Sequence, residues 1–180
     1  MPCGHTDCCH EPFPLPLLAV AAYSGTGKTT LFQQLIPLLD QYGLRVGIIK
    51  HTHHKMDVDT PSKDSYMLRK AGARQTMVAS STRWALMTEN VPAQMPSLAW
   101  LAEQMDPSLL DLILVEGFKH ESVNKIALHR SATGQDWRTL IDSHVIAIAS
   151  NVRLDSALPQ LDINQPADIA RFIVDWLAHA

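Results

Sequence analysis

One short stretch near the beginning of the chain combines two glycines, a lysine and several hydroxyl side chains. It reads Ala22-Tyr23-Ser24-Gly25-Thr26-Gly27-Lys28-Thr29-Thr30. Small residues let successive backbone N–H groups turn toward an anion, and the following helix directs its positive end at the same point. A lysine there binds the β and γ phosphates of a nucleotide, and the next hydroxyl ligates the Mg²⁺ that bridges them. The stretch therefore predicts a phosphate-binding loop, or P-loop.

The predicted P-loop gives each of its residues a role. Lys28 is expected to act as a catalytic cation, and Thr29 as a magnesium ligand. Ala22 replaces the usual first glycine, which is a mild exchange because this position ends the preceding strand. The residues expected to contact phosphate are Ser24, Gly25, Thr26, Gly27, Lys28, Thr29 and Thr30.

A strand and a helix must hold this loop in place. Residues 17–22 are apolar at every position, as in a strand that is buried on both faces of a parallel sheet. From Thr29 onward, leucines recur at helical spacing until Gly43, which predicts the end of the helix. The P-loop thus lies between a buried strand and a helix, which is the context that the motif requires.

Glu116 is the second candidate for catalysis. It follows four apolar residues and precedes Gly117, so it ends the most regular central strand in the chain, over residues 111–117. An acid in this place suits a Walker B residue that holds a magnesium-bound water beside the P-loop. The alternative is a strand-end carboxylate on a solvated turn. We predict the magnesium role for Glu116, with Glu replacing the more usual Asp.

Two polar clusters follow the second predicted strand, residues 45–50. His51, His53 and His54, with Asp57 and Asp59, are expected to contact phosphate, substrate or water, and a transition-metal site is the alternative. Lys63, Ser65 and Arg69 stand at the start of a helix that Thr60-Pro61 should begin and Gly72 should end. This second cluster could bind another phosphate, or it could be a solvated basic helix face.

The remaining pattern alternates strands with helices and predicts an α/β fold, a mostly parallel sheet flanked by helices of the P-loop NTPase type. The further strands are expected at residues 76–80, 84–88, 125–129 and 145–149, and the further helices at residues 96–105 and 169–177. A flexible Cys/His-rich tail is expected over residues 1–16 and one nucleotide-binding domain over residues 17–180.

No complete base-reading motif is present. Asn124-Lys125 resembles the beginning of the guanine-reading Asn-Lys-x-Asp motif, but Ala127 occupies the position of the carboxylate. Ser150-Asn151, at the end of a late strand, is the better candidate for a base contact. The base therefore remains open on these grounds.

Composition narrows the functional classes. The chain has 180 residues, 46% of them hydrophobic, and a formal net charge of -3, so broad binding to nucleic acid is not expected. No apolar run is long enough to span a membrane, and the beginning of the chain lacks a signal-peptide pattern, which predicts a cytoplasmic protein. Cys3, Cys8, Cys9 and the nearby histidines could bind a soft metal, although their spacing matches no closed four-ligand site.

Several ordered motifs together resemble the MobB family, the molybdopterin-guanine dinucleotide biosynthesis adapter proteins. These motifs are residues 22–30, 49–54, 63–66 with Arg69 and 71–73, and 114–120, and the resemblance covers about residues 15–178. It implies a GTP-binding homodimer with weak Mg²⁺-dependent GTPase activity that assists the guanylyltransferase MobA. It also implies that the region from His51 to Arg69, including Asp64, faces the nucleotide or the phosphate of molybdopterin.

Two other classes remain open. A metallochaperone GTPase would need the tail from Cys3 to His10, so its deletion would distinguish that class from a cofactor adapter. A small-molecule kinase would transfer a labelled γ-phosphate to an acceptor, although the sequence shows no dedicated acceptor-binding lid.

Overall fold

The computed structural model describes residues 13–52, 59–118 and 120–179. It divides into two compact units, one formed by Met1–His51 with Leu98–Ala180 and the other by Thr52–Ser97. The predicted metal-binding tail and the predicted contacts of His53, His54 and Asp57 lie outside the described residues. Among the described helices, none is long and apolar enough to cross a membrane.

The described part of the chain contains eight strands and four α-helices. The strands are β1 Leu17–Ala22, β2 Val46–Lys50, β3 Gln75–Ala79, β4 Trp84–Thr88, β5 Leu112–Glu116, β6 Lys125–His129, β7 Val145–Ser150 and β8 Gln160–Asp162. The helices are α1 Lys28–Gln41, α2 Asp64–Lys70, α3 Leu98–Glu103 and α4 Pro166–Leu177.

Six strands of the first unit form one parallel sheet, in the order β2-β5-β1-β6-β7-β8. Because all six run in the same direction, the loops that follow them meet at one edge of the sheet, where α/β proteins bind ligands. The predicted fold class, a mostly parallel sheet with flanking helices, is confirmed.

Strand β1 is buried on both faces, as its continuous apolar run predicts. Leu18 and Val20 pack with the apolar sides of α1 and α4, whereas Leu17 and Ala19 pack with Leu98 and its neighbours on α3. Helices on both faces therefore exclude water from the strand that carries the P-loop.

Two predicted elements need correction, and one strand was not predicted. Strand β2 is not fully buried, because it is an edge strand, and the side chain of Ile48 is 38% exposed. Helix α2 begins at Asp64, because Thr60 and Pro61 belong to a preceding turn in which Lys63 N–H donates to the carbonyl of Thr60 at 3.0 Å. Strand β8 was not predicted at all, since three residues are too few to show a period.

The second unit consists of α2 and an antiparallel hairpin of β3 and β4. Within residues 59–97, no side chain of this unit is buried. On one face of the hairpin, Met77 lies opposite Leu86 and Ala79 lies opposite Trp84. Met77 and Trp84 are 63% and 68% exposed, so this hairpin face is both apolar and accessible.

Candidate nucleotide-binding site

The P-loop spans residues 23–27, directly after β1, and α1 begins at Lys28. Gly27 precedes the helix with a φ of 98°, and Gly25 has a φ of 78°. A Cβ at Gly27 would meet no atom within 4 Å, so the requirement for glycine there comes from the backbone conformation. Ser24, Thr29 and Thr30 are exposed around this loop, whereas Thr26 is buried.

Lys28 reaches back over the loop that precedes it. Its Nζ donates to the carbonyl oxygens of Tyr23 and Ala22, at 2.9 and 3.2 Å. Burial lowers the pKa of Lys28, and nearby Lys50 lowers it further, while Glu116 acts in the opposite direction. The ammonium is thus held at the mouth of the loop, where a phosphate oxygen could replace a carbonyl as its acceptor.

Two side chains from the segment after β6 hold the P-loop from outside. Arg130 Nε donates to the carbonyl oxygen of Thr26 at 3.3 Å, and the hydroxyl of Tyr23 shares a hydrogen bond with that of Thr139. Within the loop, Thr26 Oγ1 donates to the carbonyl of Tyr23 at 2.9 Å. Neither Arg130 nor Thr139 was predicted from the sequence, although the position of Arg130 directly after β6 could have indicated it.

Glu116 ends β5 in the position predicted for a Walker B acid. On one side its register partner is Val20 of β1, and on the other it is Lys50 of β2. The Nζ of Lys50 lies 3.3 Å from Oε2 of Glu116, whose side chain is only 13% exposed. This ion pair was not predicted from the sequence, because it depends on how two strands that are distant in the sequence align.

An ion pair at the opposite end of the same strands is consistent with that alignment. Arg45 and Asp111 immediately precede β2 and β5, and the guanidinium donates to both carboxylate oxygens, at 2.9 and 2.8 Å. These hydrogen bonds lower the pKa of Asp111 to about 2. Since both strands advance equally from this pair, Lys50 and Glu116 end opposite each other.

The donor set beside the P-loop fits magnesium better than a softer metal. Thr29 and Glu116 offer a hydroxyl and a carboxylate, and Mg²⁺ prefers oxygen ligands, of which one or two carboxylates suffice when phosphates supply the others. Across the described ranges, no group of three or more His, Cys, Asp or Glu residues could hold a metal ion alone. A nucleotide would therefore have to complete the ligand set.

His51 lies directly after β2 and packs against the end of β5. Its backbone N–H donates to the carbonyl of Glu116 at 2.8 Å, and its ring centroid lies 5.2 Å from that of Phe118. Gly117 stands between Glu116 and Phe118 with a φ of 99°. His51 thus supports the turn that presents Glu116, which is a role that its sequence position did not reveal.

Replacement of Gly117 by alanine is expected to destabilise the protein more than the same change at Gly134. Both glycines have positive φ, which costs roughly 1–3 kcal/mol for an ordinary residue. A Cβ at Gly117 would also lie 3.0 Å from the Cβ of His51, whereas one at Gly134 would meet nothing within 4 Å. Urea unfolding of the two variants checks this. Equal losses of stability would mean that the contact with His51 is not tight.

The predicted second phosphate cluster lies in the second unit. Lys63 precedes α2, Asp64 and Ser65 form its first turn, and Arg69 lies in its last turn. The Arg69 side chain is 10% exposed, and its Nη1 lies 3.0 Å from Oε1 of Glu89. The guanidinium also lies over the ring of Tyr66, with its Cζ 5.2 Å from the centroid. Glu89 therefore pairs with one of the two cations on which that prediction rested, and the phosphate-binding role of the cluster stays a prediction.

The two segments that were considered for contact with the base lie at opposite edges of the sheet. Lys125 begins β6 as a buried residue that pairs with Asp142, so Asn124-Lys125 lies away from the P-loop edge. Ser150-Asn151 lies at that edge, but both side chains have local partners. Ser150 Oγ accepts from Val152 N–H at 3.1 Å, and the amide of Asn151 forms two hydrogen bonds with Ser131.

Comparison with known proteins gives consistent matches over most of the chain. The family model described as molybdopterin guanine dinucleotide synthesis protein B, MobB, matches residues 17–151. A molybdopterin-guanine dinucleotide biosynthesis adapter protein from Escherichia coli (strain K12) is 58% identical over 164 residues, 91% of this chain and 94% of that protein. The Haemophilus influenzae protein of the same name is 47% identical over 165 residues, 92% of this chain and 91% of its own.

Solved structures support the fold. A crystal structure of molybdopterin-guanine biosynthesis protein B has a TM-score of 0.72 and 24% identity, and covers 89% of this chain and 99% of its own. A MobB homologue from Bacillus stearothermophilus has a TM-score of 0.70, again at 24% identity, and covers 91% of this chain and 99% of its own.

A parallel sheet with a P-loop after its central strand, and an acid at the end of the adjacent strand, defines the class of P-loop NTPases. Within this class, the extent of the matches is decisive. The chain belongs to the MobB family, and the resemblance found in the sequence is confirmed.

Proposed function

We propose that this protein binds GTP with Mg²⁺ and acts as an adapter in molybdopterin guanine dinucleotide biosynthesis, assisting a MobA-type guanylyltransferase. The observation that carries the proposal is the P-loop, with Lys28 at its mouth and Glu116 at the end of the neighbouring strand. The names of the E. coli and H. influenzae relatives supply the pathway and the adapter role. The proposal places this activity in the cytoplasm.

Different residues of the site bind the phosphates and support hydrolysis. The backbone N–H groups of residues 24–28 and the ammonium of Lys28 bind the phosphates, while Thr29 and Glu116 hold the metal side. Bound Mg²⁺ would neutralise charge on the β and γ phosphates. We expect weak hydrolysis, because the carboxylate of Glu116 pairs with Lys50 and would have to leave that partner before it could help to hold Mg²⁺.

The proposal also includes a homodimer and a pterin contact. The apolar hairpin face, formed by Met77, Ala79, Trp84 and Leu86, would be buried against a second copy, since surfaces of this kind are uncommon on monomers. Light scattering should then give a mass near twice the chain's 20.0 kDa.

Molybdopterin, through its phosphate, would contact the region that includes Lys63, Asp64 and Ser65.

Calorimetry with purified protein and Mg²⁺ is expected to show tighter binding of GTP than of ATP. The guanine preference comes from the family, because the chain contains no complete base-reading motif. Equal affinity for the two nucleotides would count against the adapter function and favour a kinase.

A pull-down with and without a non-hydrolysable GTP analogue should recover the guanylyltransferase. If the guanylyltransferase is recovered neither with nor without the analogue, this result would contradict the proposed partner.

A further inference from the structure

A groove opens at the carboxyl ends of β7 and β8, on the same edge of the sheet as the P-loop. It has a volume of about 550 Å³ and is open to solvent. Its lining residues are Ser150, Asn151, Val152, Arg153, Ser156, Leu158, Gln160, Leu161 and Asp162. Apolar and polar side chains therefore line a space that could hold a base with its sugar.

Most polar side chains of this groove form hydrogen bonds with other groups of the protein. Besides the contacts of Ser150 and Asn151, the amide of Gln160 accepts from Leu154 N–H at 2.9 Å and donates to the carbonyl of Leu154 at 2.8 Å. Asp162 differs from these residues because it is an exposed carboxylate. Its Oδ1 accepts from Asn164 N–H at 2.8 Å. A carboxylate has about four lone-pair positions, so Asp162 can still accept hydrogen bonds from a ligand.

One arginine links Asn164, two residues after Asp162, to the P-loop. Arg130 Nε donates to the carbonyl of Thr26, and its Nη1 donates to Oδ1 of Asn164 at 3.1 Å. Asn164 is the residue whose backbone N–H binds Asp162. The Thr26 carbonyl and the Asn164 amide oxygen therefore lie within roughly 9 Å, the reach of one guanidinium and two hydrogen bonds. Because Asn164 follows Asp162 by two residues, a nucleotide with its phosphates in the P-loop would extend its sugar and base toward the groove.

We propose that the groove holds the guanine base and that Asp162 accepts hydrogen bonds from its N1–H and 2-amino groups. This inference rests on the proposed binding of a guanine nucleotide. Guanine presents the two donors side by side, so one carboxylate can accept from both. Adenine presents a ring nitrogen acceptor and a C–H at the same positions, and its binding would leave the carboxylate unsatisfied. Asp162 would thus provide the acid that is absent at Ala127.

The test is the replacement of Asp162 by asparagine, with binding of GTP, XTP, ATP and Mg²⁺-tripolyphosphate measured by calorimetry. Asparagine keeps the shape and can still accept from Asn164 N–H, so the fold should be retained. Its amide N–H₂ opposes the 2-amino group of guanine but matches the 2-carbonyl of xanthine. We expect GTP affinity to fall at least tenfold and XTP affinity to rise, with tripolyphosphate binding unchanged. Asp155→Asn makes the same change on an exposed residue of the loop between β7 and β8, outside the groove lining, and should alter none of these affinities.

The ligands distinguish this inference from the proposed function. If the parent protein prefers GTP and Asp162→Asn keeps the parent GTP-to-XTP ratio, the role of Asp162 is overturned while guanine nucleotide binding stands. If Asp155→Asn changes the ratio as much as Asp162→Asn does, the effect is one of general charge and the role is also overturned. If the parent protein binds neither GTP nor tripolyphosphate, the proposed function fails first.

Discussion

Replacing Lys28 by alanine is expected to weaken the binding of GTP at least tenfold. A charge-assisted hydrogen bond to phosphate contributes about 1.5–3 kcal/mol, and each 1.4 kcal/mol corresponds to roughly a factor of ten in affinity. In the structure the ammonium already lies over the loop, bonded to the carbonyls of Ala22 and Tyr23, so binding requires little movement of its stem. Titration calorimetry with Mg²⁺-GTP measures the loss directly.

The Lys28 substitution needs a control for the structure of the loop. Lys28→Met keeps most of the aliphatic stem and removes the charge, so it should lose as much affinity as Lys28→Ala if the charge is what matters. Thermal unfolding of both variants monitors the fold. Parent-like affinity in a folded Lys28→Met protein would remove the phosphate-binding role of Lys28, and with it the main support for the P-loop assignment.

Glu116→Gln is expected to separate nucleotide binding from hydrolysis. The amide keeps the shape of the side chain but removes the charge that would orient a metal-bound water, whereas the loop amides and Lys28 bind the phosphates independently. Comparable changes around metal sites lower activity by about 10–100-fold. We expect Mg²⁺-dependent hydrolysis to fall within that range and GTP affinity to change much less, as measured by phosphate release and calorimetry.

The ion pair of Lys50 with Glu116 requires its own controls. Glu121→Gln makes the same change on an exposed residue of the loop after β5, and it should leave hydrolysis unchanged. Lys50→Met keeps Glu116 and removes its cation, so it tests whether loss of the ion pair alone explains the effect. If Glu116→Gln hydrolyses GTP at the parent rate with the same dependence on Mg²⁺, another acid, such as Asp57 or Asp59, holds the ion. If it unfolds, the role of Glu116 is structural.

Local sequence patterns were sufficient for the central elements of the fold. Strands β1 and β5 are buried on both faces, so their apolar runs are unbroken, and α1 has both a regular apolar repeat and a glycine after its end. The exposed side of β2 could not be predicted, because exposure depends on which strand lies at the edge of the sheet. The sequence predicts one domain over residues 17–180, and the structure contains two compact units. The assignment of a single domain stays a prediction.

Local sequence patterns also predicted only part of the candidate site. The P-loop and Glu116 are local signals, and the structure places them on adjacent strands. Their supporting residues, Arg130 and Lys50, act through contacts with residues far away in the sequence. Such contacts follow from strand order and register, which no single segment encodes. The phosphate-binding, catalytic and metal roles of the predicted residues stay predictions until ligands are tested.

The strand order also constrains how the protein can fold during synthesis. Strand β1 and its P-loop leave the ribosome early, but the hydrogen-bonded neighbours of β1 are β5 and β6, with Leu17 paired to Ile113 and Ala22 to Leu128. Pairing across such separations is slow, because the intervening chain must lose its freedom before the ladder forms. A nascent chain that ends before β5 therefore presents the apolar β1 unpaired. During this interval, the unpaired apolar strand is surface on which the growing polypeptide can aggregate.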